Sequence, residues 1–324
     1  MISWRLAAAV GMVFTSGLAA ASCGSSDPAT PETDAGTSET GSPVDGGAET
    51  TTTLDGGTDT GTADTGVDAG PECNATTPCS GTLTCCSNHC VDTKKNPSHC
   101  GACGVSCTAG SQFCNGVTCK EAVVTNVCQT ANATVIQDGI AEDDSAGTSI
   151  ATALGGCTPA VTVRTVLQAT VEGNTALAIL SDAGAPLSGP GDMLVTAGGE
   201  FGQHMVKYME TKSSAPVVSN QTGTTITFSR RSTGAILHTL QDSDLTASHD
   251  YALIALAVDA PSGTLTVMAQ GLFGPGTRAA SFQLGQMIAA PATYDQAFYL
   301  YEWTDGNANQ MPDVGEFVLR ASGK

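Results

Sequence analysis

Apolar residues are spread very unevenly along the 324-residue chain, and they divide it into four segments. Residues 1–22 hold a short apolar run, 23–72 are almost entirely small or polar, 73–120 are rich in cysteine, and 121–324 alternate between apolar runs and polar turns. Such changes in composition mark domain boundaries. The pattern predicts a multi-domain chain in which a disordered stalk and a small disulfide-rich module precede an α/β domain.

Within residues 121–324, short β-branched or apolar runs predict strands, and runs with helical spacing or acidic starts predict helices. The predicted strands are Thr134–Gln137, Ala160–Leu167, Asp192–Thr196, Thr224–Ser229, Ala235–Leu240, Tyr251–Val258, Leu265–Gln270, Ala297–Trp303 and Glu316–Arg320. The predicted helices are Glu142–Leu154, Asn174–Leu180, Phe201–Lys212 and Thr277–Ile288. Strand followed by helix, repeated at this spacing, predicts a mostly parallel sheet with helices, followed by a β-rich carboxyl-terminal part.

The amino end has the order of an export signal. Met1–Arg5 carries one positive charge, Leu6–Leu18 is mostly apolar, and small residues lead to Cys23. This order predicts a signal peptide over residues 1–22. Ala20-Ala21-Ser22 before Cys23 resembles a bacterial lipobox, with Ala20 where leucine is usual. The resemblance implies cleavage before Cys23 and a lipid on its sulfur; ordinary cleavage that leaves a free thiol is the alternative.

Charge changes the picture of the segment that follows. The chain has 12 basic and 31 acidic residues, a formal net charge of −19, and this argues against nucleic acid as a partner. Residues 24–72 hold 11 of the acids and no Lys or Arg. Because this stretch has almost nothing apolar to bury, we expect a disordered linker extended by its like charges. A lipid at one end of such a linker predicts a membrane tether.

The segment 73–120 is the most specific feature of the sequence. An even number of cysteines in an exported chain predicts complete disulfide pairing, and cross-links would replace a core that the segment is too poor in large apolar residues to form. Zinc binding by Cys100 and Cys103, with His89 and His99 nearby, is the alternative. The ten cysteines are Cys73, Cys79, Cys85, Cys86, Cys90, Cys100, Cys103, Cys107, Cys114 and Cys119.

Two further cysteines, Cys128 and Cys157, lie on either side of the first predicted strand–helix unit. This position predicts a disulfide that closes a loop of about 30 residues and stabilises the fold by about 3–4 kcal/mol. Two buried thiols are the alternative.

The strings Cys85-Cys86-Ser-Asn-His-Cys90, Asn96-Pro-Ser-His-Cys100-Gly-Ala-Cys103 and Cys114-Asn-Gly-Val-Thr-Cys119 resemble the stigma-specific protein family. Its members are small secreted cysteine-rich modules of plants, and they are also widespread in myxobacterial surface proteins. The resemblance implies an extracellular interaction or spacer module without catalysis. His99 stands where that family usually has asparagine.

A second resemblance lies in the α/β segment. Ala197-Gly198-Gly199 follows a predicted strand, and a later stretch reads His249-Asp250-Tyr251-Ala252-Leu253-Ile254. The predicted strand Leu265–Gln270 then leads through Gly271-Leu-Phe-Gly274-Pro-Gly276-Thr277-Arg278-Ala279-Ala280 into a helix. These features are similar to the α/β repeat of archaeal S-layer-type surface proteins. The resemblance implies a structural role at the cell surface.

Residues 305–316 carry oxygen ligands at regular intervals. The spacing resembles an EF-hand-type calcium loop, with Gln310 at the position that is normally glycine and Pro312 at a position that is normally apolar. A polar turn between two strands is the alternative. The side-chain ligands would be Asp305, Asn307, Asn309, Asp313 and Glu316, with the backbone carbonyl of Met311.

Two turns form a candidate ligand site. Acids stand where the first parallel strand ends and a helix begins, the edge at which α/β proteins bind ligands. Glycines before a later helix favour either an anion at the helix N-terminus or close packing of helix on strand. The alternative for the acids is a helix start that faces water. The candidate residues are Asp138, Asp143, Gly274, Gly276 and Thr277, with Glu142, Asp144 and Gly271 beside them.

No catalytic motif is present: the chain has no Gly-x-Ser-x-Gly and no His-Glu-x-x-His, and His204 and His238 fit packing positions. The sequence therefore predicts a non-enzymatic lipoprotein exported to the cell envelope, at the outer membrane or cell surface. It would present its domains for adhesion, envelope structure or binding of a surface protein or glycan. The alternative is an exported ligand-binding or hydrolytic α/β domain that uses the Asp138–Asp144 and Gly271–Thr277 turns.

Overall fold

A computed structural model describes residues 73–74, 76–187 and 192–324, which lie within one compact unit, Gly61–Lys324. The predicted signal peptide, Cys23 and the linker 23–72 lie outside the described residues. Within those residues, no helix has the length and apolar character needed to span a membrane.

The cysteine-rich region is built from two small antiparallel hairpins and five disulfides. Strand β1 (Thr84–Cys86) pairs with β2 (His89–Val91), and β3 (Gln112–Cys114) pairs with β4 (Cys119–Glu121). The bonds overlap along the chain, so each loop is locked by its neighbour. Their partners are Cys73–Cys85, Cys79–Cys90, Cys86–Cys103, Cys100–Cys114 and Cys107–Cys119. The predicted disulfide-rich module is confirmed, and Cys100 and Cys103 have no free thiolates for zinc.

The α/β region follows with alternating strands and helices. A sixth disulfide joins Cys128 to Cys157 across the first strand–helix unit. The elements are β5 (Asn132–Gln137), α1 (Ala141–Gly155), β6 (Thr162–Leu167), α2 (Gln168–Val171), β7 (Asp192–Ala197), α3 (His204–Thr211), β8 (Val217–Thr222), β9 (Thr225–Arg230), β10 (Ile236–Gln241), β11 (His249–Val258), β12 (Leu265–Gly271), α4 (Gly274–Ala289), β13 (Phe298–Thr304) and β14 (Phe317–Gly323).

Seven strands form one mixed sheet in the order β14-β13-β11-β12-β7-β5-β6. The pairs β12–β7, β7–β5 and β5–β6 are parallel, whereas β11–β12, β11–β13 and β13–β14 are antiparallel. The expectation of a mostly parallel sheet is therefore wrong for half of it. The reason is local: β11 and β12 are joined by a tight turn closed by Gly263 N–H on the Asp259 carbonyl, and such a hairpin forces antiparallel pairing.

Both faces of this sheet are covered. Along β11, Ala252, Ile254 and Leu256 belong to a core with helices α1 and α4, as alternation along a strand requires. The intervening residues Leu253 and Ala255 belong to a second core under α3 and the antiparallel sheet β8-β9-β10. The result is a three-layer α/β arrangement with the seven-stranded sheet in the middle.

The cysteine-rich region packs on this arrangement through one large side chain. Phe113 of β3 is 1% exposed and belongs to the same core cluster as Val124 and Leu256. The Val258 N–H also donates to the Gly110 carbonyl at 3.3 Å. The two regions therefore share buried surface.

The predicted helix over residues 174–180 is wrong. Asn174 Oδ1 accepts the N–H groups of Ala176 and Leu177, as at a helix start, but Ala178 has a φ of +47° and ends the turn. Leu180 is fully buried, and its backbone forms isolated β-bridges with Glu172 and Pro186. Burial of Leu180 in the second core therefore overrides the local helical signal.

Candidate functional site

The two turns singled out in the sequence border one cavity of about 490 Å³. Glu142 and Asp143 reach it from the start of α1, and Gly274 and Thr277 reach it from the start of α4. The strands that lead into this edge, β5, β7 and β12, are parallel neighbours, so their carboxyl ends meet there. We call this cavity the strand-end cleft.

Two carboxyl groups lie together beside the strand-end cleft. Asp138 Oδ1 accepts the Ile140 N–H at 2.9 Å, which closes a tight turn after β5. Asp143 is 8% exposed, and burial together with the neighbouring Asp138 raises its pKa to about 7. Asp138 Oδ2 is buried and receives no N–H or O–H donor among the described residues. A proton on Asp143 therefore allows the two carboxyls to hydrogen-bond.

Two glycines make room for this acid pair. A Cβ on Gly198, where φ is +117°, would lie 2.5 Å from Asp143 Oδ2. A Cβ on Gly202 would lie 2.2 Å from Asp138 Oδ2. Any side chain at either position would displace the carboxyls.

The glycine turn before α4 already holds an anion, which comes from the chain itself. Asp250 on β11 is fully buried, and its Oδ2 accepts the Phe273 N–H at 3.0 Å and the Gly276 N–H at 2.8 Å. Burial raises the Asp250 pKa to about 6, although these hydrogen bonds act in the opposite direction. Gly276 must be glycine because a Cβ would lie 2.5 Å from the Tyr251 carbonyl.

The candidate residues of that turn thus have different roles. The Gly276 N–H is committed to Asp250, and Gly276 does not line the strand-end cleft. Gly274 and Thr277 do line it, and the Thr277 side chain hydrogen-bonds to Asp143. The sequence analysis assigned no ligand-binding role to Asp250. The feature that could have pointed to it is its position as a single acid in the otherwise apolar strand β11.

A second cleft of about 340 Å³ adjoins the first, and we call it the sheet cleft. It lies between the end of β12 and the small sheet, and it has Ser219, Asn220 and Gln270 in its lining. Glu210, 3% exposed, accepts hydrogen bonds from Gln270 Nε2 at 3.1 Å and Ser219 Oγ at 3.0 Å. Burial raises the Glu210 pKa to about 7. This buried acid fixes the orientation of two polar groups that line the sheet cleft.

The loop 305–316 is closed by its own oxygens. Asp305 Oδ2 accepts the Gln310 N–H at 2.7 Å, and Gln310 takes the left-handed φ of +58° at the position that is normally glycine. Glu316 Oε1 accepts the Gly306 N–H at 2.8 Å, and its Oε2 accepts the Asp313 N–H at 2.9 Å. The six candidate ligands therefore share one wrapped loop.

The amides in this loop turn toward one carboxylate. Asn307 Nδ2 and Asn309 Nδ2 donate to Asp313 Oδ2 at 2.7 and 2.9 Å. Asp305 Oδ1 is buried and has no hydrogen-bond partner within the described ranges. Among the His, Cys, Asp and Glu side chains of the described residues, two groups of three have all their ligand atoms within 4.8 Å of one another. Both groups consist of cysteines, and all six cysteines are in disulfides.

The histidines of the α/β region pair with other groups. His204 Nδ1 lies 2.6 Å from Glu172 Oε1, and His238 Nε2 lies 3.0 Å from the Tyr251 hydroxyl. The described residues that line the strand-end cleft include no His, Ser, Cys or Lys.

Comparison with protein-family models, with curated proteins and with solved structures finds no match. Function is therefore inferred from the residues and geometry of this chain.

Proposed function

We propose that the chain is a non-enzymatic, exported lipoprotein that presents its cysteine-rich and α/β regions at the cell surface for adhesion, envelope structure or partner binding. The observation that supports this most directly is the disulfide network. All twelve cysteines of the described residues are paired, and such bonds persist in oxidising compartments.

Attachment through Cys23 and the acidic linker 23–72 completes the proposal, with the outer membrane as the destination. The test is the intact mass of protein extracted from membranes, compared with a Cys23→Ser variant. We expect a mass increase from a diacylglycerol on the native chain and release of the variant into the soluble fraction. An unmodified Cys23 thiol in the membrane-extracted protein would contradict the anchor.

We also propose that residues 305–316 bind calcium. No group in the part of the chain that the structure describes donates to the buried Asp305 Oδ1, and a hard cation bound by several oxygens would satisfy it. Three carboxylates, Asp305, Asp313 and Glu316, supply the compensating charge. The ion would need Asn307 and Asn309 to present their amide oxygens instead of their NH₂ groups.

Calorimetric titration of the full chain with CaCl₂ tests this proposal. We expect heat of binding in the native protein and in Asp295→Ala, an exposed acid outside the loop, and none in Asp305→Ala. Asp313→Asn, which conserves shape, guards against misfolding and should weaken binding strongly. Equal heats in all four proteins, or none in the native chain, would remove the calcium site.

A second candidate function is a ligand-binding or hydrolytic α/β domain. One observation favours it: the 138–144 and 271–277 turns, far apart in sequence, converge on the strand-end cleft. Assays with chromogenic ester, peptide and glycoside substrates would distinguish a hydrolytic domain from one that only binds a ligand. Turnover that disappears in Asp143→Asn would indicate hydrolysis, whereas binding without turnover would indicate recognition alone.

A further inference from the structure

The strand-end cleft and the sheet cleft share one wall. Gly199, Gly271 and Leu272 line both, together with Phe201 and Phe273. These two phenylalanines are 85% and 53% exposed, although aromatic rings usually bury most of their surface. We call the joined clefts, about 340 and 490 Å³, the double groove. Two exposed rings on the shared wall of this groove offer flat apolar surfaces to a ligand.

The charges around the double groove disfavour an anionic ligand. Glu142 and Asp143 line the strand-end cleft, and Glu200 and Asp242 line the sheet cleft. Arg278 is the one cationic residue in either lining among the described residues. A phosphate or sulfate group would meet these acids and the net charge of −19.

Positive charge at the same edge partly offsets these acids. Helices α1 and α4 both begin there, and helix N-termini carry positive partial charge. Arg278 adds a full positive charge. The uncharged amides of the lining favour a neutral ligand that both donates and accepts hydrogen bonds.

The polar groups of the double groove suit hydroxyls. Asn220, Gln221 and Gln270 offer amides that both donate and accept, while the carboxylates accept. Buried Glu210 holds Gln270 and Ser219 in place, so these groups are ordered before a ligand arrives. The negative face of an aromatic ring attracts the partly positive C–H groups on one face of a sugar ring.

We propose that the double groove binds a neutral oligosaccharide, stacked on Phe201 and Phe273 and hydrogen-bonded by the amides and carboxylates along both clefts. The proposal rests on the ligand-binding form of the second candidate function and names its ligand class. It also selects glycan over protein among the surface partners that the sequence predicts.

The test is binding of the purified full chain to immobilised neutral oligosaccharides of hexoses and N-acetylhexosamines, followed by calorimetry on the best ligand. Sulfated oligosaccharides and octalysine serve as anionic and cationic probes. We expect neutral sugars alone to bind, and Phe201→Ala or Phe273→Ala to weaken binding by about tenfold or more, since each removes a ring face.

Ile236→Ala is the matched control, because Ile236 is an apolar side chain, 69% exposed, that lines neither cleft. Its affinity should stay within about twofold of the native value. Binding of octalysine or sulfated sugar without neutral sugar, no binding of any neutral sugar, or equal affinity in all variants would overturn the proposal. Membrane attachment through Cys23 is measured by mass and would stand or fall separately.

Discussion

The cysteine-rich region and the α/β region of this chain are stabilised by different means. Residues 73–121 contain five disulfides and one large core side chain, Phe113. Residues 122–324 contain one disulfide and two apolar cores on opposite faces of a sheet. Cross-links act mainly by restricting the unfolded chain, whereas a core acts by removing apolar surface from water.

The two regions should therefore lose their structure under different conditions. The α/β region depends on packing, so we expect it to tolerate loss of Cys128–Cys157. The cysteine-rich region depends on its covalent bonds, so its structure requires an oxidising compartment. Phe113 joins the two, because it belongs to one region by sequence and to the other by burial.

Loss of the Phe113 side chain should destabilise the protein most. Phe113→Ala leaves a cavity in the core shared with Val124 and Leu256, and should lower the free energy of unfolding by about 3–5 kcal/mol. Urea denaturation with all disulfides intact measures it. Val117→Ala, at a side chain 72% exposed in the same region, should change the value by less than about 0.5 kcal/mol. Similar costs for the two variants would show that Phe113 does not join the regions.

Removal of one disulfide from either region should destabilise the protein less than loss of the Phe113 side chain. Cys100→Ala with Cys114→Ala opens a 14-residue separation, and Cys128→Ala with Cys157→Ala opens one of 29. Each removal should lower the free energy of unfolding by about 2–4 kcal/mol, because the unfolded chain gains entropy. The two double variants should differ in which part of the structure becomes less stable.

Hydrogen exchange distinguishes the two double variants. Loss of Cys100–Cys114 should expose the amides of β3 and β4, while loss of Cys128–Cys157 should leave those amides protected. Equal protection of β3 and β4 in both variants would mean that packing, and not cross-linking, holds the cysteine-rich region.

Stability should also change modestly with pH, because the α/β region buries three acidic side chains with raised pKa values. Burial raises the pKa of Asp143 and Glu210 to about 7 and that of Asp250 to about 6, compared with about 4 for such groups in an unfolded chain. Between about pH 4 and these raised pKa values, the three carboxyls keep protons in the folded state that they release in the unfolded state. Their stabilising contribution is therefore complete below about pH 4 and is lost as pH rises through about 6 to 7.

Thermal unfolding between pH 5 and 8 tests this expectation. The midpoint should fall as pH rises, and Glu210→Gln should reduce the slope because its side chain stays neutral. Asp182→Asn, at an exposed acid, should leave the slope unchanged. A midpoint that rises over this range would contradict raised pKa values at these buried carboxyls.

Much of the fold could be predicted from the sequence because its long elements have strong local patterns. The apolar runs of β7, β11 and β12 and the helices α1 and α4 match the predictions to within a few residues. Strand β8 was missed because only its first two residues are apolar, and the polar remainder, Ser219–Thr222, is partly exposed. Strand order, and therefore the mixed character of the sheet, depends on contacts between distant segments that local patterns do not contain.

The candidate site was predictable in part for the same reason. Asp143, Gly274 and Thr277 could be named because strand ends and helix starts are visible in sequence, and the structure brings them to one cleft. Asp250 could not be assigned, because its partners Phe273 and Gly276 are more than twenty residues away. The exposure of Phe201 and Phe273 also depends on tertiary structure.

The overlapping disulfides have a mechanical consequence. From Cys73 a covalent route crosses to Cys85, steps to Cys86, crosses to Cys103, follows the backbone to Cys107 and crosses to Cys119. This route uses five backbone steps and three sulfur bridges, about 35 Å in all, whereas the same span without bridges would extend to about 160 Å. A pull applied at Cys73 would thus reach the α/β region through a short, nearly inextensible covalent connection.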